Sequence, residues 1–239
     1  MITRKDMCDY KEWKNWHSKN FARSSVEETL YFSKLRNKFK LGDNLNVLEI
    51  GFGGGSFLDF SRANSWNISG VELNTALLDN ATQHGFEVFD SIYNIPESNQ
   101  YDLVVAFDVF EHVETDDFIK FLGKIKNFLS SNGIIIARVP NGSSPLGLAN
   151  QHGDITHLSI ITESKMNYWT SCVDLKIDYS GGDIYLVYNG KILKTPVRAV
   201  KRIFQLIIER TVRWIFSPQS KGCLSANSLY VLSLKNNES

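Results

Sequence analysis

The chain has 239 residues, 43% hydrophobic and 22% charged, with Lys+Arg and Asp+Glu both at 26 and a formal net charge of zero. That length holds one α/β domain with a buried core and little more. The charge balance supplies no global field toward nucleic acid, so charge-driven binding must come from a local patch. Cys8, Cys172 and Cys223 are scattered and odd in number, which excludes a disulfide framework and the paired spacing of a zinc site.

The N-terminal run MITRKDMCDYKEWKNWH lacks the apolar core of a signal peptide. No segment approaches the roughly 20 apolar residues of a membrane span. A cytoplasmic protein is expected. With no repeat, low-complexity tract or Pro/Gly-rich linker, residues 1–42 read as an N-terminal helical lid or cap. Residues 43–239 then read as the main domain.

In chain order, the opening segment predicts a helix to about Lys40. Leu30, Phe32, Leu35 and Phe39 form its stripe, Ser24 or Ser25 its cap, and Glu27 and Glu28 its first turn. Asn46–Ile50 is a short apolar run ending in glycines, which reads as a buried strand. Ser56–Ala63 predicts a helix, Ile68–Glu72 a strand, Thr75–His84 a helix, Phe86–Phe89 a strand and Leu103–Phe107 a central strand. Asp116–Leu129 has helical spacing and is ended by Ser131-Asn132-Gly133. Ile134–Val139 is a β-branched strand stopped by Pro140. This alternation implies a doubly wound, mostly parallel sheet. Val173–Tyr179, Ile184–Tyr188 and Leu229–Leu234 supply further strands with little between them, which suggests an antiparallel edge.

The strand–turn–helix Val47-Leu48-Glu49-Ile50-Gly51-Phe52-Gly53-Gly54-Gly55-Ser56 lets backbone approach a ligand that a Cβ would exclude. Alone, such a turn fits several nucleotides. Glu72 follows at the separation that places a carboxylate on ribose hydroxyls. Glu49 stands where a cationic ligand end would suit it, and the missing Lys-Ser/Thr disfavours a triphosphate cradle.

Together with Asp90 after the third strand and Tyr101-Asp102-Leu103-Val104-Val105-Ala106-Phe107-Asp108-Val109-Phe110-Glu111-His112-Val113, these residues resemble class I S-adenosylmethionine-dependent methyltransferases. The resemblance implies a Rossmann-like α/β fold with a seven-stranded sheet and an antiparallel C-terminal strand, and S-adenosylmethionine as cofactor. It sets Gly51, Gly53 and Gly55 against the methionine and ribose parts, with Glu49 close by. Glu72 and Leu73 fall at the ribose, Asp90 and Ser91 near adenine, and Asp108 and Val109 on the methionine side.

Methyl transfer from a sulfonium is an in-line displacement, and a hydroxyl acceptor of high pKa also needs a base or a metal. The loop after the fifth strand holds His152, Asp154 and His157. Asp154 and His157 are the expected catalytic pair with His152 beside them, and no metal is expected. The alternatives are that Asp154 caps a turn and His157 is structural. His112 and Asn141 are expected near the acceptor, His112 more as a packing or hydrogen-bonding residue than as the base.

Arg138-Val139-Pro140-Asn141-Gly142, then Asp154-x-Thr156-His157 and Thr162-Glu163, are similar to bacterial methyltransferases of cell-surface polysaccharide biosynthesis. That resemblance implies a sugar as acceptor. Tyr10, Trp13, Trp16, His17 and Phe21 either stack on such a substrate, with Trp16 and His17 as binding residues, or pack on the sheet. Between about 191 and 217 a basic amphipathic helix is predicted. It covers the sheet with its apolar face, lies on an anionic membrane surface or forms a dimer. The rival functions are methylation of a small phenol, quinone precursor or carboxylate, and a non-catalytic cofactor-binding module. Base methylation of nucleic acid is disfavoured by the neutral charge and by Asp108-Val109-Phe110-Glu111 after strand four.

Overall fold

The computed structural model describes residues 21–216 and 224–235. Tyr10, Trp13, Trp16 and His17 therefore lie outside the described residues. Helix α1 (Val26–Phe39) begins at Ser25, whose side chain accepts from Glu28 N while Glu28 answers the Ser25 N–H. This is the reciprocal box that satisfies two end donors. It ends at Lys40, which takes the left-handed conformation at φ 54°.

The core elements follow as β1 (Asn46–Ile50), α2 (Ser56–Ala63), β2 (Asn67–Val71), α3 (Thr75–Gln83), β3 (Glu87–Phe89) and β4 (Tyr101–Phe107). Then come α4 (Phe118–Asn127), β5 (Leu129–Pro140), α5 (Leu148–His152), α6 (Glu163–Cys172), β6 (Leu175–Gly182), α7 (Thr195–Phe216) and β7 (Asn227–Leu234). The seven strands form one sheet in the order β3-β2-β1-β4-β5-β7-β6. The first five pair in parallel, whereas β7 runs antiparallel to both β5 and β6.

Alternation along each strand divides the core. Leu48, Ile50, Val104 and Ala106 face α4 and α6, where they join Phe118, Leu122, Met166 and Trp169. Val47, Leu103, Val105 and Ile136 face the other way, toward Tyr31, Phe32 and Leu35 of α1, Phe57 and Leu58 of α2, and Leu77. Each such fully buried side chain contributes about 1.5–3 kcal/mol, so both faces of the sheet must be covered. The fold class is therefore the doubly wound Rossmann-like sheet with an antiparallel C-terminal strand.

Three expectations change. Helix α4 stops at Asn127, and β5 already starts at Leu129 opposite Tyr101, with an irregularity before Leu103 pairs with Ile134. A Cβ on Gly133 would lie 2.6 Å from the Tyr101 carbonyl oxygen, so the predicted stop signal is a kink inside the strand. Residues 184–188 are not a strand. Asp183 bonds Ile184 N with its own side chain (2.7 Å), and Leu186 plugs the core on the α1 side. Finally, the apolar face of α7 does not cover the sheet. The helix has no buried residue, because its polar side makes the contacts with the body.

Candidate active site

The chain order reverses where β1 neighbours both β2 and β4, and the crevice beyond the carboxyl ends at such a point is where doubly wound sheets bind ligands. The glycine turn sits there. Gly51, Gly53 and Gly55 all have left-handed φ, at 73°, 49° and 74°. A Cβ on Gly51 would come within 2.5 Å of Val109 Cγ2, which explains glycine at that position. Gly55 is the left-handed N-cap of α2.

Glu72, just past β2, accepts from the backbone N–H groups of Gly53 (3.1 Å), Leu73 (2.8 Å) and Asn74 (3.0 Å). Burial pushes its carboxyl above the usual range, against those three N–H groups. Glu49 is buried on β1 and is pushed well above that range, by desolvation first and by the Glu72 charge second. Its Oε2 has no hydrogen-bond partner among the described residues. Leu73 is exposed beside Glu72. Asp90 accepts from Asn94 Nδ2 (2.7 Å) and Ser91 from Tyr93 N (3.2 Å), both at the end of β3. The cofactor positions inferred from sequence thus stand together at the carboxyl ends of adjacent strands.

A buried carboxylate with an orphaned oxygen beside a half-buried one calls for a cation, and the ammonium and sulfonium groups of S-adenosylmethionine supply one. The residues present fit that cofactor. Glu49 would hold the cationic end, the glycine turn would let the backbone approach, and Glu72 would take the ribose hydroxyls.

Asp108 has φ 57° and forms a two-point ion pair with Arg138, in which Nε lies 3.1 Å from Oδ1. Burial works against the Arg138 charge, but Asp108 outweighs it and the guanidinium is held above its usual range. It lies over the rings of Tyr31 and Phe107, at 5.3 and 5.4 Å. Tyr31 donates to Asp183 Oδ1 (2.7 Å), and burial raises its phenol well above the tyrosine range. A cavity of about 400 Å³ opens here. Glu49, Gly51 and Gly53 line it together with Tyr31, Arg138, Asp183, Tyr185 and Arg198, among others.

The histidine loop is a separate cluster, and none of its residues lines that cavity. His157 Nε2 is 3.8 Å from both Glu111 Oε1 and Asp154 Oδ2, and its Nδ1 is 3.0 Å from the Gln151 carbonyl. His112 meets His157 edge to face at 4.8 Å, with Nδ1 3.1 Å from the Thr156 carbonyl. Thr156 donates its hydroxyl proton to Asp154 Oδ1 (2.6 Å). Asp154, His157 and His112 are thereby brought together, while His152 is exposed at the end of α5. Asn141 is buried, and its amide donates to Ser225 O and accepts from Ser143 N.

Glu111, His112 and His157 each offer a ligand atom within 4.8 Å of the others, a set able to hold a divalent cation. Sequence reasoning missed Glu111, fully buried in this cluster, although it directly precedes His112. It also gave no role to Arg138, whose signal was a lone charge in a β-branched strand. Tyr31, Asp183 and Tyr185 carried no local signal.

Residues 18–179 match a family described as a methyltransferase domain. No curated protein matches the chain. Among solved structures, a SAM-dependent methyltransferase from Archaeoglobus fulgidus is similar at 19% identity and a TM-score of 0.60, over 87% of this chain and 94% of that one. A second, from Mesorhizobium loti, has 12% identity and a TM-score of 0.57, over 87% and 99%. Coclaurine N-methyltransferase, bound to N-methylheliamine and SAH, has 15% identity and a TM-score of 0.54, over 87% and 71%. These likenesses establish the fold, and the matched domain covers well over half of the sequence. The glycine turn, the Glu49–Glu72 carboxylates and this match agree: the chain belongs to the methyltransferase-domain family, with S-adenosylmethionine as its cofactor.

Proposed function

We propose that this methyltransferase transfers the methyl group to a hydroxyl of a sugar or saccharide intermediate in surface-polysaccharide biosynthesis. The observation that carries the reading is the lining that the cavity has besides Glu49 and the glycine turn. It sets a guanidinium (Arg138), a carboxylate (Asp183) and two tyrosines (Tyr31, Tyr185) around one space. Alternating donors and acceptors with ring faces match an acceptor that presents several hydroxyls on an apolar ring. The Asp154-x-Thr156-His157 sequence supports the same class by resemblance.

The displacement needs the hydroxyl held in line with the methyl group, and a base to take its proton as the C–O bond forms, so the reacting hydroxyl has to extend from the cavity past Val109 toward the histidine cluster. His112 is the proposed base on position: it stands on the turn after β4, at the carboxyl end of the sheet, with Nδ1 3.1 Å from the Thr156 carbonyl. A single turn separates it from Val109, which packs against Gly51. His157 has both ring nitrogens turned to protein groups and is a positioning residue. With Asp154 and Thr156 it would orient His112 and balance its charge.

The test is transfer of labelled methyl from S-adenosylmethionine to a panel of nucleotide sugars and glycans, with phenols and carboxylic acids alongside. Uptake on a saccharide, lowered 10²-fold or more in His112→Ala (about 10²–10⁴ for a general base), is expected. Uptake confined to phenols or carboxylates would overturn the reading, and a carboxylate acceptor would be indifferent to His112. The metal-capable set favours one second reading, an acceptor hydroxyl ionised by a divalent cation at Glu111, His112 and His157. Activity lost with chelator and restored by cation would select it.

A further inference from the structure

Helix α7 is amphipathic with the ordinary orientation reversed. Arg198 donates to the Leu186 carbonyl (2.9 Å) and lies 3.8 Å from Glu27. Arg202 lies over the Tyr185 ring at 5.1 Å, and Tyr185 donates its hydroxyl to the Arg198 carbonyl. The polar side is therefore the side that docks. The opposite side, Val197, Val200, Phe204, Ile207 and Ile215, follows helical spacing over about five turns and stands in solvent. Phe204 is 60% exposed and Trp214 82%, while Leu193, just before the helix, is 94% exposed. A row of this extent is far more than scattered surface apolar residues, and marks a face that meets something.

The charges bordering that face say what it meets. At 100° per residue, Lys201 falls on one flank of the apolar arc and Arg210 on the other, and both are exposed. Lys191 and Lys194 stand at the head of the row. The single acid between residues 191 and 216, Glu209, is only partly exposed and lies 3.5 Å from Arg213. A second copy of this chain would oppose like charges along both flanks and offer this face no acid. An anionic lipid surface offers hydrocarbon for the centre and phosphates for both edges.

We propose that α7 lies in the headgroup region of an anionic bilayer, apolar side inward, with Lys201, Arg210, Lys191 and Lys194 on lipid phosphates. No described helix is long and apolar enough to cross a membrane, so the contact is peripheral. Arg198 belongs both to α7 and to the cavity wall, so the bound helix keeps the cavity within one helix length of the lipid. The inference stands independently of the acceptor proposed above.

The full-length protein is floated with vesicles of phosphatidylcholine alone, or of phosphatidylcholine mixed with anionic phosphatidylglycerol, whose negative surface potential attracts basic segments. Binding to the anionic vesicles only is expected. Lys201→Gln with Arg210→Gln should weaken it about thirty-fold (about 1 kcal/mol per charge). Phe204→Ser with Ile207→Ser should abolish it, while both double variants keep wild-type affinity for S-adenosylmethionine as proof of folding. Failure of the wild type to float, or binding untouched by the Phe204/Ile207 change, would overturn the proposal. So would a concentration-dependent dimer, broken by that same change, in a protein that ignores lipid.

Discussion

Glu49 and Glu72 show how a binding site is built from a local penalty. Each carboxylate is raised by burial, and Glu49 also by the Glu72 charge, so protonation competes with binding of a cation. The sign follows from linkage. A cationic ligand lowers the carboxyl pKa, binding therefore releases a proton, and affinity rises as pH climbs through the raised value. Calorimetric titration with S-adenosylmethionine across acid to neutral pH should show that rise, and Glu49→Gln should flatten it and weaken binding. An equally steep profile in the variant would assign the titration elsewhere. The histidine cluster yields a second residue-scale prediction. His157→Gln should lower kcat and move the pH profile while leaving KM for the cofactor unchanged, because His157 orients rather than touches. A purely structural residue would instead lower thermal stability without moving the profile.

The glycine turn is where one methyl group decides an element. Gly51→Ala puts a Cβ 2.5 Å from Val109 Cγ2 at a φ of 73°. A left-handed non-glycine residue already costs about 1–3 kcal/mol, so thermal denaturation should show the loss, and cofactor affinity should fall because turn or Val109 must shift. The α1 cap is independent of chemistry. Ser25→Ala should cost about 1 kcal/mol, lowering Tm by roughly 2–4 °C at this chain length, with cofactor affinity unchanged. At this scale the pattern of the sequence was largely legible. Ser25, one of the two caps the sequence offered, caps α1, and the apolar and β-branched runs became β1, β4 and β5. The misreadings share one cause. The segment 184–188 has strand-like composition, but Asp183 is tied to Tyr31, 152 residues earlier, and no local pattern reports such a bond.

For the whole molecule, the two-faced core makes cofactor binding and folding one equilibrium. A ligand held only by the native state stabilises it by about 2.7 kcal/mol at a hundredfold excess over Kd. A Tm rise of roughly 5–10 °C with saturating S-adenosylmethionine is expected at this length. A folded protein with no shift would contradict the cofactor assignment itself. The cavity also depends on distant segments, since α1, the end of β5 and the stretch after β6 all line it.

Sequence alone determined most of the order of the elements, the mostly parallel sheet and the cofactor, and it singled out positions that the fold gathers at the carboxyl ends of the strands. Those depend on short-range matters: periodicity, glycine φ angles, and a carboxylate a fixed distance along the chain. Only the tertiary structure decided that Arg138 pairs with Asp108 and that Tyr31 meets Asp183. It alone placed Glu111 behind His157, and turned α7 with its arginines inward and its apolar side out. A helical stripe records that a face is apolar. Which way the face points depends on the partners that compete for its opposite side, and here Leu186, Tyr185 and Glu27 hold the arginines.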